Sequence, residues 1–208
     1  NRCKDNKLEK FSLLLFNPRT ISSVSIKVTD SEIIRLYCSG RQEEAFNGIV
    51  DAYTERLYWH IRRFLGSHDD TNDLLQDVFI KIWTALSTFR GDSKLYTWLY
   101  RIATNEVLNH LRKKRFKALL SLESSAATIE KIIDDDHHFN GTQLQRELHK
   151  AIQRLPEKQR IVFSLRYFDE MKYEDISEIT GTSVGALKAS YHHAYNKVKD
   201  EMQKLIET

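Results

Sequence analysis

From Asp30 onward, apolar residues recur at three- and four-residue steps and nowhere alternate for long, so the pattern predicts helices and no sheet. Asp30 in "TDSE" offers a cap to the first of them. Ala45, Phe46, Ile49, Val50, Tyr53, Leu57, Ile61, Phe64 and Leu65 mark one face of a long helix that stops at Gly66. Leu75, Val78, Phe79, Ile82, Trp83 and Leu86 mark the buried face of a second, which follows Asp69-Asp70-Thr71. "FRGDS", Phe89 to Ser93, interrupts the period, and "TWLYRIATNEVLNHLRKKR" from Thr97 restores it.

After Lys117 the period is lost. Glu123 to Asp136 holds five acids and one lysine among serines and alanines, which reads as a linker. A second periodic module begins near Gln143, with Pro156 suited to the first turn of a helix in "LPEKQR". The fold class predicted is all-α: two small helical domains, 28–117 and 143–208, joined by a flexible acidic linker over 118–142. Residues 1–27 form a leader to which no role is assigned; the first methionine is Met171.

Within the second module, "YEDISEITGTSVGALKASYHHAYNKV" holds a short helix (Tyr173 to Thr180), Gly181 at a turn, Ser183 as N-cap and a second helix. Ile176 and Ile179, then Val184, Leu187, Tyr191, Ala194 and Val198, are spaced to pack the two at an angle. This is the helix-turn-helix layout, whose second helix enters a major groove. Ser183, Lys188, Ser190, His192, His193 and Lys197 lie off the packing face. Lysine and serine suit base edges and phosphates. The bland alternative is a helical hairpin with a solvated face.

Charge changes the picture for the first module. The net charge is only +3, yet Ser93 to Lys117 carries seven cations against Glu106 alone. On a helical wheel Trp98, Arg101, Asn105, Asn109 and Arg112 share one sector, because their steps average 3.5 residues. Asparagine pairs with adenine, arginine with phosphate or guanine, and an exposed tryptophan stacks on an unpaired base. The stripe thus suits a nucleic-acid strand, against the alternative of a solvated face with Trp98 in the core. On the preceding helix, Asp73, Gln76, Asp77 and Ile80 lie opposite the buried face. One apolar residue inside an acidic, amide-rich rim suits a protein partner.

Other chemistry is not indicated. Cys3 and Cys38 fit neither a disulfide framework nor a zinc site, no apolar run reaches the roughly 20 residues needed to cross a bilayer, and "FSLLLF" from Phe11 is too short for a signal peptide. A reducing cytoplasm fits. Consecutive "DDDHH" from Asp134 is a poor metal shell in a flexible stretch. No cofactor, metal or catalytic residue is expected.

Together, "DLLQDVFIKIWTAL", "FRGDSKLYTWLYRIATNEVLNHLRKKR" and "LPEKQRIVFSLRYFDEMKYEDISEITGTSVGALKASYHHA" resemble, in order and spacing, regions 2.2, 2.3 to 2.4, and 4 of bacterial sigma factors of the extracytoplasmic-function (ECF) group. The resemblance covers about Val28 to Leu205. It implies a non-enzymatic initiation factor: a region 2 bundle and a region 4 helix-turn-helix that carry core RNA polymerase to promoters. Asp73, Gln76, Asp77 and Ile80 would dock on the clamp helices of the largest subunit. Region 4 would meet the flap of the second-largest. Phe89, Arg90, Gly91, Asp92 and Ser93 would hold a base flipped from the minus-10 element, with Trp98, Arg101, Asn105, Asn109 and Arg112 along the melted strand. Ser183, Lys188, Ser190, His192, His193 and Lys197 would face the minus-35 element. An anti-sigma factor is implied as a further partner. The chain departs from the family at Ala189, Ser190, His192 and His193, where arginines are frequent. A stand-alone helix-turn-helix regulator is the alternative.

Overall fold

The computed structural model describes residues 28–120 and 143–206; the acidic stretch, "DDDHH" and "FSLLLF" lie outside them. Among the described residues there are eight α-helices and no strand. In chain order they are α1 (Asp30–Cys38), α2 (Gln42–Leu65), α3 (His68–Ala85), α4 (Leu95–Leu120), α5 (Gln143–Gln153), α6 (Glu157–Phe163), α7 (Tyr173–Thr180) and α8 (Val184–Ile206). The described residues fall into two compact units, one up to Gly48 and one from Ile49 onward, so the boundary lies within α2.

In the first unit, α1 is opened by a capping box. Thr29 Oγ1 accepts from the Glu32 backbone N–H while Glu32 Oε2 accepts from the Thr29 N–H at 3.0 Å. The expectation of a cap at Asp30 is corrected by one residue: a hydroxyl at Thr29 reaches the third backbone donor, and Asp30 becomes the first helical residue, where its charge meets the helix dipole.

The second unit holds two lobes. In the first, the apolar stripe read from the sequence is buried: Ile49, Tyr53, Leu57, Ile61 and Phe64 on α2, and Leu75, Val78, Phe79 and Ile82 on α3. Helix α4 adds Leu99, Tyr100, Ala103 and Val107. Ser67 caps α3 by accepting from the Asp70 N–H, ahead of the predicted start. Lys81 on α3 pairs with Glu106 on α4 at 2.5 Å.

In the second lobe Ala151, Ile152, Leu155, Phe163, Ala194 and Val198 form one core, flanked by Leu148, Phe168, Tyr191 and Met202. Pro156 precedes α6 as its N-cap rather than lying in its first turn. A π-helical segment, Ser164–Phe168, widens the end of α6 and leads into a turn in which Glu170 takes φ +51°. That turn presents Asp169. Gly181, at φ +67°, makes the left-handed corner between α7 and α8 that a side chain would strain.

Candidate nucleic-acid and protein interfaces

The helix-turn-helix is assembled as its spacing predicts. Ile176, Ile179, Leu187, Ala194 and Val198 are buried, and Val184 and Tyr191 are half-buried between them. Ser183 Oγ accepts from the Ala186 N–H at 3.5 Å, closing the first turn of α8. Lys188, His192, His193 and Lys197 are exposed and Ser190 is half-buried, all off the packing face. Several are already oriented: Lys188 lies 5.7 Å from the Tyr173 ring, Lys197 donates to Gln159 at 3.2 Å, and His192 Nε2 meets Asn196 Nδ2 at 3.2 Å. The rings of His192 and His193 diverge, with centroids 6.1 Å apart. Among the described residues no group of three His, Cys, Asp or Glu is placed to hold a metal.

On α3, Asp73, Asp77 and Ile80 are exposed and Gln76 is half-buried. Ile80 keeps 40% of its surface accessible within that polar surround. Burying a side chain so exposed would be worth roughly 1 to 2 kcal/mol.

Helix α4 separates the stripe into two kinds of residue. Asn105 and Arg112 are exposed, while Arg101 and Asn109 are half-buried, Asn109 donating to Glu106 at 3.4 Å. Beyond them Lys113, Lys114 and Lys117 continue the exposed cations to the C-terminal end, where the helix dipole favours them. Trp98 differs. It is 8% exposed, with its ring centroid 5.2 Å from that of Phe89, itself 7% exposed. The reading of Trp98 as an exposed stacking platform is therefore corrected: its indole is a wedge beneath the loop, held there because burial of so large an apolar ring outweighs any gain at the surface. Arg90, Gly91 and Asp92 remain exposed above it, with Gly91 at φ +77° turning the backbone, and Ser93 is half-buried.

A seam between the lobes was not legible in the sequence. Arg63 Nη1 donates to both oxygens of Asp169, at 3.2 and 3.1 Å, and the Tyr100 hydroxyl donates to Oδ1 at 3.2 Å. His60, with no exposed side-chain surface, places Nδ1 3.4 Å from Asp169 Oδ2, an ion-pair distance, while its Nε2 lies 3.1 Å from Thr104 Oγ1. Burial pushes the Asp169 carboxyl up, but His60 and Arg63 together hold it below the usual carboxylate range. Its partner Tyr100 is displaced upward, by burial first and then by the Asp169 charge. Lys94 Nζ donates to Asp175 at 2.9 Å, and the Tyr96 hydroxyl donates to the other carboxylate oxygen. Gln153 Nε2 donates to the Arg63 carbonyl at 2.6 Å, and Arg115 pairs with Glu157. An open groove of about 290 Å³ runs along this seam beside Trp59, Arg63, Phe168 and Glu170.

Comparison with known proteins agrees with this layout. The Sigma-70 region 2 family matches residues 49–117, and the Sigma-70, region 4 family matches residues 145–198. The ECF RNA polymerase sigma-E factor of Escherichia coli (strain K12) is 31% identical over 191 residues, covering 88% of this chain and 99% of that protein. The RNA polymerase sigma-H factor of Pseudomonas aeruginosa is 31% identical over 176 residues, 79% and 89% of the two chains. Among solved structures, the sigma factor RpoE in complex with the anti-sigma factor NepR from Bartonella quintana superposes with a TM-score of 0.64 at 25% identity, covering 76% of this chain and 96% of that one. CnrH, solved with the cytosolic domain of CnrY, shares the fold at a TM-score of 0.60 and 21% identity, over 84% and 97% of the chains.

Proposed function

The chain belongs to the ECF group of RNA polymerase sigma factors, initiation factors that direct polymerase to promoters, and from that premise we propose how its own residues divide the work. Asp73, Gln76, Asp77 and Ile80 dock on the clamp helices of the largest polymerase subunit. The second lobe meets the flap of the second-largest subunit. Arg90 to Ser93 receive a base flipped from the minus-10 element, over the floor made by Phe89 and Trp98. Arg101, Asn105, Asn109 and Arg112 track the melted strand. Ser183, Lys188, Ser190, His192, His193 and Lys197 face the minus-35 element. An anti-sigma factor restrains the chain, as one is bound to the sigma factor RpoE from Bartonella quintana. Among the described residues no helix is long and apolar enough to cross a membrane.

The observation that carries this division is the alignment of an exposed loop, exposed Asn105 and exposed Arg112 along one helix whose end is a run of cations. Magnitudes explain why polymerase is needed. Opening about ten base-pair steps costs on the order of 14 kcal/mol at roughly 1.4 kcal/mol per step, whereas each base captured by stacking returns roughly 1 to 3 kcal/mol. A few captured bases trap an opened strand and do not open it unaided, so the chain acts through the polymerase that carries it. Run-off transcription with purified core polymerase, with and without the chain, tests the reading. Promoter-specific transcripts only in its presence are expected. A chain that shifts promoter duplex alone and leaves transcription unchanged would favour a stand-alone regulator instead.

A further inference from the structure

With Trp98 in the core, the N-terminal end of α4 offers no exposed aromatic ring to the stripe. The other end supplies one. Phe116 is 64% exposed, the most exposed large apolar side chain among the described residues. At roughly 3.6 residues per turn it stands about five turns beyond Trp98, on the same line along the helix. Steps of four, three and four residues lead from Asn105 through Asn109 and Arg112 to Phe116. Lys113 and Arg115 flank the ring, and Lys117 follows it. Arg115 is turned to Glu157 and Lys114 to Asp70, whereas Arg112, Lys113 and Lys117 meet no carboxylate among the described residues.

A lone exposed apolar side chain is ordinary. A phenyl ring that prolongs a polar stripe and is surrounded by cations is a narrower combination. The cations select an anionic partner, and the ring selects one with a flat apolar face. A base between phosphates has both. An acidic membrane surface is a poor match, because the rest of the sector is amide and guanidinium and has no apolar face to insert. From Leu95 to Phe116 the helix rises about 32 Å, which spans about nine base steps at roughly 3.4 Å each. The chain runs on from this end to the lobe proposed for the minus-35 element, so the C-terminal end of α4 is the one nearer the upstream DNA.

We propose that Phe116 stacks on a base of the promoter upstream of the minus-10 element, with Arg112, Lys113 and Lys117 on the neighbouring phosphates. The assignment rests on the strand path proposed above. The base is either unpaired at the edge of the opened stretch or part of a duplex step that the ring wedges apart, and both present the same aromatic face. Trp98 and Phe116 thereby divide what one exposed tryptophan was expected to do: the first supports the loop from beneath, and the second meets DNA.

The test uses holoenzyme assembled from the full chain and core polymerase, with Phe116→Ala, Phe116→Leu and Phe116→Tyr compared. The side chain is exposed, so all three should keep the urea midpoint of wild type and its retention on core polymerase. Phe116→Ala should shorten the lifetime of heparin-resistant promoter complexes about tenfold. Tyrosine should restore most of that loss and leucine little, because stacking needs a ring and not apolar area alone. 2-Aminopurine placed singly along the upstream stretch should report a Phe116-dependent fluorescence change at one position. A change on forked templates alone identifies an unpaired base, and a change on full duplex as well identifies a wedged step. Lys113→Gln/Lys117→Gln should lower the slope of log affinity against log salt by about 1 to 2, and Phe116→Ala should leave it unaltered. Wild-type lifetimes and fluorescence for Phe116→Ala, or a leucine variant as good as wild type, overturn the proposal; lost retention on core polymerase overturns it in favour of a protein contact. A wild-type holoenzyme that opens no promoter overturns instead the functional reading beneath it.

Discussion

Trp98 separates two kinds of contribution to promoter opening, and its replacement by alanine tells them apart. A tryptophan side chain carries up to about 250 Å² of surface, and at 8% exposure nearly all of it is withdrawn from water. At about 25 cal/mol per Å² the transfer contribution is up to roughly 6 kcal/mol, and measured Trp-to-Ala losses in cores run at about 3 to 5 kcal/mol. Trp98→Ala should therefore lower the unfolding free energy of the chain by about 3 kcal/mol or more, read by urea denaturation followed at 222 nm. Phe89→Ala should follow it, because the two rings rest on each other. Asn105→Ala, at an exposed position, should change stability by no more than about 0.5 kcal/mol. All three should reduce permanganate reactivity of the opened promoter, the first two through the loop above them and Asn105 through lost strand contact. A Trp98→Ala chain within about 1 kcal/mol of wild type refutes the wedge, and an Asn105→Ala chain with unaltered footprints removes the stripe.

Three further outcomes are expected. Ile80→Glu and Asp77→Arg, both at exposed positions, should leave stability unchanged and weaken core polymerase association about tenfold or more; equal retention in a pull-down rules out the α3 face. His149 is held down to about 4, by burial first and then by Arg62, Arg160 and Arg63, so the unfolded chain takes up a proton near its ordinary value of 6.5 that the folded chain refuses. Its contribution is complete above pH 6.5 and is lost as pH falls toward 4, by about 3 kcal/mol in all; His149→Gln should flatten the pH dependence of urea midpoints in that window, and an unaltered slope counts against it. Glu170→Gly should raise the thermal midpoint by relieving a left-handed backbone worth about 1 kcal/mol, and a lowered midpoint shows the turn is unstrained.

The helices were legible because the first lobe buries one face of α2 and of α3, and the second one face of α8, and burial on one face is what periodicity records. Gly181 and the Ser183 hydroxyl were equally plain, since a left-handed corner and a first-turn donor each demand a small set of residues. Trp98 was ambiguous for a physical reason: a tryptophan on the wheel beside Arg101 and Asn105 has the same phase whether its ring lies over solvent or folds back under Phe89. The cap at Thr29 rather than Asp30 is a similar one-residue choice between neighbouring oxygens. The seam lay beyond local reasoning, because Arg63 and Asp169 are 106 positions apart, Arg63 leaves the pattern of α2 intact and Asp169 lies in a turn with no period to break. His60 did carry a trace. It interrupts the buried stripe of Leu57, Ile61 and Phe64, and a polar group at such a position requires a partner, though nothing in the stripe says which.

The start of α4 joins the seam between the lobes to the face proposed for strand capture. Residues 94–101 make about two turns, a rise of about 10 Å, and within them Lys94 and Tyr96 hold Asp175, Trp98 floors the loop, and Arg101 opens the exposed stripe. Lys94 adjoins Ser93, the last residue of the loop. While it is paired with Asp175, its charge is neutralised beside the path proposed for the melted strand, and the acid itself opposes a phosphate there. Asp175→Asn would remove that negative charge and return the positive charge of Lys94 to the same point, moving the local field in the direction that favours nucleic acid. A carboxylate that grips a cation beside the proposed strand path competes with the strand's phosphates for the same charge.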